Sequence, residues 1–196
     1  RKRGMGENMS KGADGTSPTC WDINSAAKWY DWVTGTFCNG ETVICDESAG
    51  GTTGTLQQSV SVNSMTCANA TKAITVDGAF TITNNADVTV AGAANTTINA
   101  SLDGDVTLVK TGAGTLTLGA ANTLAGVTIQ GGRTVAAHND ALSTNTIVDG
   151  TTTLELADGV TISEDLTVSN TGNNKFVQLE SGGGKTAEFA GDITVE

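Results

Sequence analysis

The sequence is poor in most of the residues that carry chemistry. It has one proline and one histidine, its aromatic content is 4%, and charged residues make up only 16% of its 196 positions. The lone histidine, His138, sits in the polar turn His138-Asn139-Asp140, and no Gly-x-Ser-x-Gly elbow is present, so a Ser-His-Asp hydrolase has nothing to be built from. None of the four cysteines forms a C-x-x-C pair, and the Gly-Gly-x-Gly-x-Asp calcium nonapeptide is absent, so no metal site and no cofactor is expected. No apolar run approaches the roughly 20 residues of a membrane-spanning helix, and no signal peptide is visible. Basic residues are also scarce: 10 Lys plus Arg stand against 21 Asp plus Glu, a formal net charge of −11. Arg1, Lys2, Arg3 and Lys11 lie at the very start, which leaves the body more acidic still. Such a surface repels phosphate backbones and anionic lipid heads, and nucleic acid and membrane insertion are excluded as partners of these residues.

What remains is glycine (25 residues) and abundant threonine. Threonine favours strands and glycine favours tight corners, so the composition points to an all-β chain with many turns.

The four cysteines, Cys20, Cys38, Cys45 and Cys67, all fall within the first 67 residues. Four thiols allow three pairings, and the spacing favours none of them. Two disulfides are expected, which implies an oxidising, external compartment; buried free thiols are the alternative.

Taken in order, residues 1–19 read as a flexible or extended arm. Residues 20–55 gather Trp21, Trp29, Tyr30, Trp32 and Phe37 with three of the cysteines, and read as an aromatic cap over the exposed end of a repetitive body. The other use of Trp21, Trp29, Tyr30 and Trp32 is a stacking platform for sugar rings. From residue 56 to 196 short apolar pairs recur, among them Val60/Val62, Ile74/Val76, Phe80/Ile82, Val88/Val90, Leu116/Leu118, Ile147/Val148 and Leu154/Leu156. Gly, Asn and Asp corners separate them, and neighbouring pairs lie about 6 to 11 residues apart. Strands this short, joined by turns of unequal length, fit a right-handed parallel β-helix better than an antiparallel sandwich, with about 20 to 30 residues per coil.

Within that body, Lys110-Thr111-Gly112-Ala113-Gly114-Thr115-Leu116-Thr117-Leu118 followed by Ala121-Asn122-Thr123-Leu124-Ala125-Gly126-Val127-Thr128-Ile129-Gln130-Gly131-Gly132 closely resembles the autotransporter-associated β-strand repeat. Leu124 stands where that repeat usually has an aromatic. The resemblance covers one copy, about 25 residues, and implies a β-helix in an exported bacterial surface protein, with a repeat that is scaffold and carries no catalytic residues.

The expectation is therefore a non-catalytic extracellular structural or adhesin module, a stalk or fibre element at the bacterial surface. Its strand-like last residues, Ile193, Thr194 and Val195, form an edge that calls for either a longer chain or end-to-end stacking of copies into filaments. The alternative is a carbohydrate-binding or carbohydrate-active β-helix, with a host or matrix glycan as partner. Asp103, Asp105, Asp149, Asp158, Glu164 and Asp165 are the acidic residues that such an enzyme would have to line up on one face.

Overall fold

A computed structural model of the chain describes residues 20–22, 36–46, 52–56, 58–169, 177–181 and 186–196. In chain order the strands are β1 (Cys20–Asp22), β2 (Thr36–Cys38), β3 (Thr42–Cys45), β4 (Thr53–Thr55), β5 (Val60–Val62), β6 (Ser64–Cys67) and β7 (Ile74–Asp77). There follow β8 (Thr81–Asn84), β9 (Val88–Val90), β10 (Thr96–Ile98), β11 (Ser101–Lys110), β12 (Thr115–Leu118), β13 (Thr123–Ile129) and β14 (Gly132–Ala136). The last are β15 (Thr146–Asp149), β16 (Thr152–Leu156), β17 (Thr161–Ile162), β18 (Leu166–Ser169), β19 (Val177–Ser181), β20 (Glu188–Phe189) and β21 (Ile193–Val195). No helix forms among the described residues.

Apart from the antiparallel pair β1–β2, every strand pairing is parallel, and the chain winds as a β-solenoid of about 6 turns. A seven-stranded sheet stacks β4, β7, β10, β12, β14, β16 and β19. A second ladder runs from β3 through β6, β9, β11, β13, β15 and β18 to β21. Between these two, β5 and β8 open a third position in each coil and join the second ladder through the first half of β11. β11 is long because it serves both positions: Ser101–Asp103 pair with β8, and Leu108–Lys110 with β9. Its register against β13 shifts between Gly104 and Thr107, which turns the corner inside one strand.

Alternation decides what goes inside. In the second ladder Val43, Met65, Val88, Leu108, Val127, Thr146 and Leu166 lie one above the next in register, and all are buried. In the seven-stranded sheet Val76, Ile98, Leu118, Ala136 and Leu156 do the same. Each buried aliphatic side chain contributes about 1.5 to 3 kcal/mol, so the core is a continuous apolar column summed coil by coil. Thr75, Thr97 and Thr117 form an outward rank on the same sheet.

The structure revises three details of the sequence reading. Phe80 is not an inward strand residue: it is 39% exposed, and Ile82 and Asn84 point in instead. Ile147 is 38% exposed, with Thr146 and Val148 inside, because inward residues are spaced by two and not adjacent. β3 and β4, within the segment read as a cap, already run in the parallel register of the solenoid.

Candidate functional site

The corners are held by side-chain oxygens that stand in for the missing ladder bonds. The Asp87 carboxylate accepts from the Thr107 N–H at 2.9 Å, and the Asn95 carbonyl from the Thr115 N–H at 3.0 Å. Asn39 does the same for Ser61, Asn139 for Thr161, Asp158 for Thr186 and Asp165 for Asp192. Each bond joins a side chain in one coil to a backbone N–H in the next, 20 to 28 residues further along the chain. Short polar side chains suit this work because they satisfy backbone donors that a turn leaves unpaired.

The segment that carries the repeat motif adds two buried polar anchors. Asn122 is buried, and its side chain bridges three coils: its carbonyl accepts from the Leu102 N–H at 2.8 Å, and its amide donates to the Ala141 carbonyl at 2.8 Å. Its own backbone N–H donates to the Asp140 carbonyl. Lys110 occupies an inward position between Val90 and Ile129 and is only 1% exposed. Its Nζ donates to the Gly112 carbonyl and, at 3.0 Å, to the Gly131 carbonyl of the next coil. Burial draws its pKa down from 10.5 to about 8.

The glycines of the motif are there because the turns stack in contact. A Cβ on Gly112 would lie 2.1 Å from the Gly92 carbonyl oxygen. Gly132 has φ +63 and would press a Cβ to within 2.6 Å of the Gly112 carbonyl.

Several of the acidic residues are engaged in contacts between coils. Asp103 accepts the Thr83 and Thr123 hydroxyls from the coils on either side, at 3.3 and 2.6 Å. Asp158 and Asp165 are engaged at corners as described above, and Arg133 pairs with Glu155 across neighbouring coils at 2.5 Å. His138 Nδ1 accepts the Asp140 N–H at 3.0 Å, the geometry of a turn residue. Among the described residues no group of three or more His, Cys, Asp or Glu side chains converges on one point.

Of the other sites read from sequence, Trp21 lies on β1 opposite Phe37, while Trp29, Tyr30 and Trp32 lie outside the described residues. Cys20 and Cys38 are register partners across β1 and β2; Cys45 and Cys67 are buried free thiols on β3 and β6. Ile193 and Val195 are 45% and 74% exposed on β21. Lys110 and Asn122 were the residues that sequence reasoning passed over. Lys110 could have been found, since it continues the inward alternation of Val106 and Leu108.

No curated protein and no solved structure matches the chain. Residues 108–137 match the family model of the passenger-associated-transport-repeat, and this window holds Lys110, Asn122, Gly112 and Gly132 together. The chain is a β-solenoid that carries this repeat, and so fits an autotransporter passenger repeat protein.

Proposed function

We propose that this chain is a non-catalytic spacer: a stalk element of an exported bacterial surface protein, whose work is to hold other parts of the assembly at a fixed distance. The repeat family and the solenoid support a passenger, stalk-like module and suggest a surface or extracellular location. The observation that carries the spacer reading is the unbroken register. One inward column runs from Val43 to Leu166 without a break, while Asp87, Asp103, Asp158 and Asp165 are engaged in coil-to-coil bonds. A spacer tolerates a change of length in whole coils, whereas a binding or catalytic site does not. Val88 and Leu108 are register partners, so residues 88–107 make one exchangeable coil. Inserting two further copies of it should lengthen the rod by about 10 Å in small-angle scattering, at about 4.8 Å per coil, with no loss of thermal stability. Unfolding of the inserted coils, or release of sugar by the unaltered chain from a panel of polysaccharides, would sink the reading.

A filament or adhesin role is the finer form of the same proposal. β21 pairs with β18 on one side and leaves Ile193 and Val195 exposed, although Leu166, beneath Ile193, is buried. A following coil, of a longer chain or of a second copy, would cover them, and the filament form takes the second copy. Concentration-dependent sedimentation that is lost in Ile193→Lys/Val195→Lys supports the joint. A monomer at high concentration rules it out.

A further inference from the structure

The four cysteines stand at matched positions on neighbouring strands. In the antiparallel pair β1–β2, Cys20 is the register partner of Cys38. In the parallel pair β3–β6, Cys45 is the register partner of Cys67. Directly opposed residues have Cα atoms about 4.5 to 5.5 Å apart in an antiparallel pair and about 4.8 Å apart in a parallel one, inside the roughly 4.4 to 6.8 Å span of a disulfide. We propose that the four thiols close as two disulfides, Cys20–Cys38 within the β1–β2 pair and Cys45–Cys67, which clasps two neighbouring coils of the solenoid.

The topology disfavours the two crossed pairings. Cys45 and Cys67 are both buried in the solenoid interior, below Val90 in the same inward column. β1 and β2 belong to a separate two-stranded sheet. A bond from Cys45 or Cys67 to either of them would draw a buried residue out of the column and break the register that already aligns it. Spacing along the sequence cannot show this, because the partner of Cys45 is fixed by coil length, through Val43 lying over Met65.

The step is a thiol–disulfide exchange and needs a disulfide donor, R–S–S–R, such as glutathione disulfide or an oxidised dithiol oxidoreductase. The Cys45 thiolate attacks a donor sulfur to form Cys45–S–S–R and expels RS⁻. The Cys67 thiolate then attacks the Cys45 sulfur, forms the protein bond and expels the second RS⁻. The two thiol protons end on the two RS⁻ groups. Protein loses two protons and two electrons; donor gains them. Contact with the Cys67 sulfur and burial hold the Cys45 thiol well above its ordinary value in the folded coil, so the thiolate is scarce there and the bond forms as the coils close. The pairing follows from the strand registers and does not depend on the spacer reading.

To test it, the full chain is refolded from denaturant in a glutathione redox buffer, and residual thiols are alkylated under denaturing conditions. Cleavage at acidic residues and lysine then separates all four cysteines, because Asp22, Lys28, Glu41 and Asp46 lie between them. The expected result is an intact mass about 4 Da below the reduced chain, with Cys20–Cys38 and Cys45–Cys67 linked peptides. In Cys45→Ser, Cys67 should be alkylated and Cys20–Cys38 retained. A reductant should lower the Tm of the unaltered chain by about 5 to 10 °C. A crossed pair, Cys45 and Cys67 both alkylated in the unaltered chain, or Cys67 joining Cys20 or Cys38 in the variant overturns the proposal.

Discussion

A lysine stacked in an aliphatic column should make the stability of this solenoid rise with alkaline pH, against the usual trend. Lys110 titrates at about 8 in the folded chain and at 10.5 when exposed. Below pH 8 both states hold the proton, and the folded chain bears the full desolvation of a buried ammonium. Between about pH 8 and 10.5 the unfolded chain keeps the proton that the folded chain has lost, so stability rises through that window and levels off above it. At about 1.4 kcal/mol for each tenfold change, the span amounts to roughly 3 kcal/mol. The neutral amine still donates to the Gly112 and Gly131 carbonyls, so the anchor survives the loss of charge.

Lys110→Met isolates the effect, because methionine keeps most of the volume and does not titrate. In the reduced chain, the form in which this comparison is made, the Cys45 thiol acts with the opposite sign. Its raised folded value gives stability that is present below 9.0 and lost as pH climbs past it, but it is common to both proteins and cancels in their difference. Urea unfolding followed by circular dichroism at pH 7 and pH 10.5 supplies the four stabilities needed. The gap between the unaltered chain and Lys110→Met should move by about 3 kcal/mol in favour of the lysine chain as pH rises. A gap that stays constant with pH would show that Lys110 keeps its proton in the fold and that its burial has been misread.

The remaining predictions concern the coil contacts. Gly112→Ala drives a Cβ into the Gly92 carbonyl and should cost about 3 kcal/mol or more, whereas Gly159→Ala meets nothing within 4 Å and should cost about 1 kcal/mol for its φ of +75 alone. Thermal melts of the two alanine variants compare them directly. Asn122→Leu strands the Leu102 N–H and the Ala141 carbonyl in the interior, at about 1 to 3 kcal/mol each. Hydrogen exchange on that variant should show loss of protection at the Leu102 N–H; protection unchanged there would refute the bridge. Leu118→Ala opens a cavity between Ile98 and Ala136 and should lower stability by about 2 to 5 kcal/mol in urea unfolding.

The period-two alternation made the solenoid legible, since Val60/Val62, Val88/Val90 and Leu116/Leu118 name their own inward face. It misled at Phe80 and Ile147 because hydrophobicity was counted without parity: a strand in register turns even an isoleucine outward if its neighbours claim the interior. The corner acceptors were legible as turn residues but not as bonds between coils, because Asp87 and Thr107 become neighbours only once the coil length is known. The start of the solenoid at β3 was hidden by composition. Tryptophans and cysteines crowd the same stretch, and Val43 and Cys45 gave too short a pattern to outweigh them. Lys110 was hidden by type, since a lysine is read as surface unless its parity is checked against Leu108.

The polar anchors answer a difficulty that the fold itself creates. An aliphatic column is tolerant of error, because Val88 stacks on Leu108 much as it would on Val127, and a slip of one whole coil keeps the apolar faces aligned. Apolar burial therefore stabilises the solenoid without choosing which coil lies on which. Asn122 and Lys110 do choose: the first needs the Leu102 N–H and the Ala141 carbonyl, and the second needs the Gly112 and Gly131 carbonyls. After a slip these groups would be buried without partners, at a penalty larger than the difference between two aliphatic contacts. The glycines work in the same direction, since the turn at Gly112 fits only against a turn as close as that at Gly92. Both anchors lie in the window matched by the passenger repeat. In this chain the repeat is thus where the solenoid fixes which coil lies on which, and the apolar strands on either side can vary so long as their parity holds.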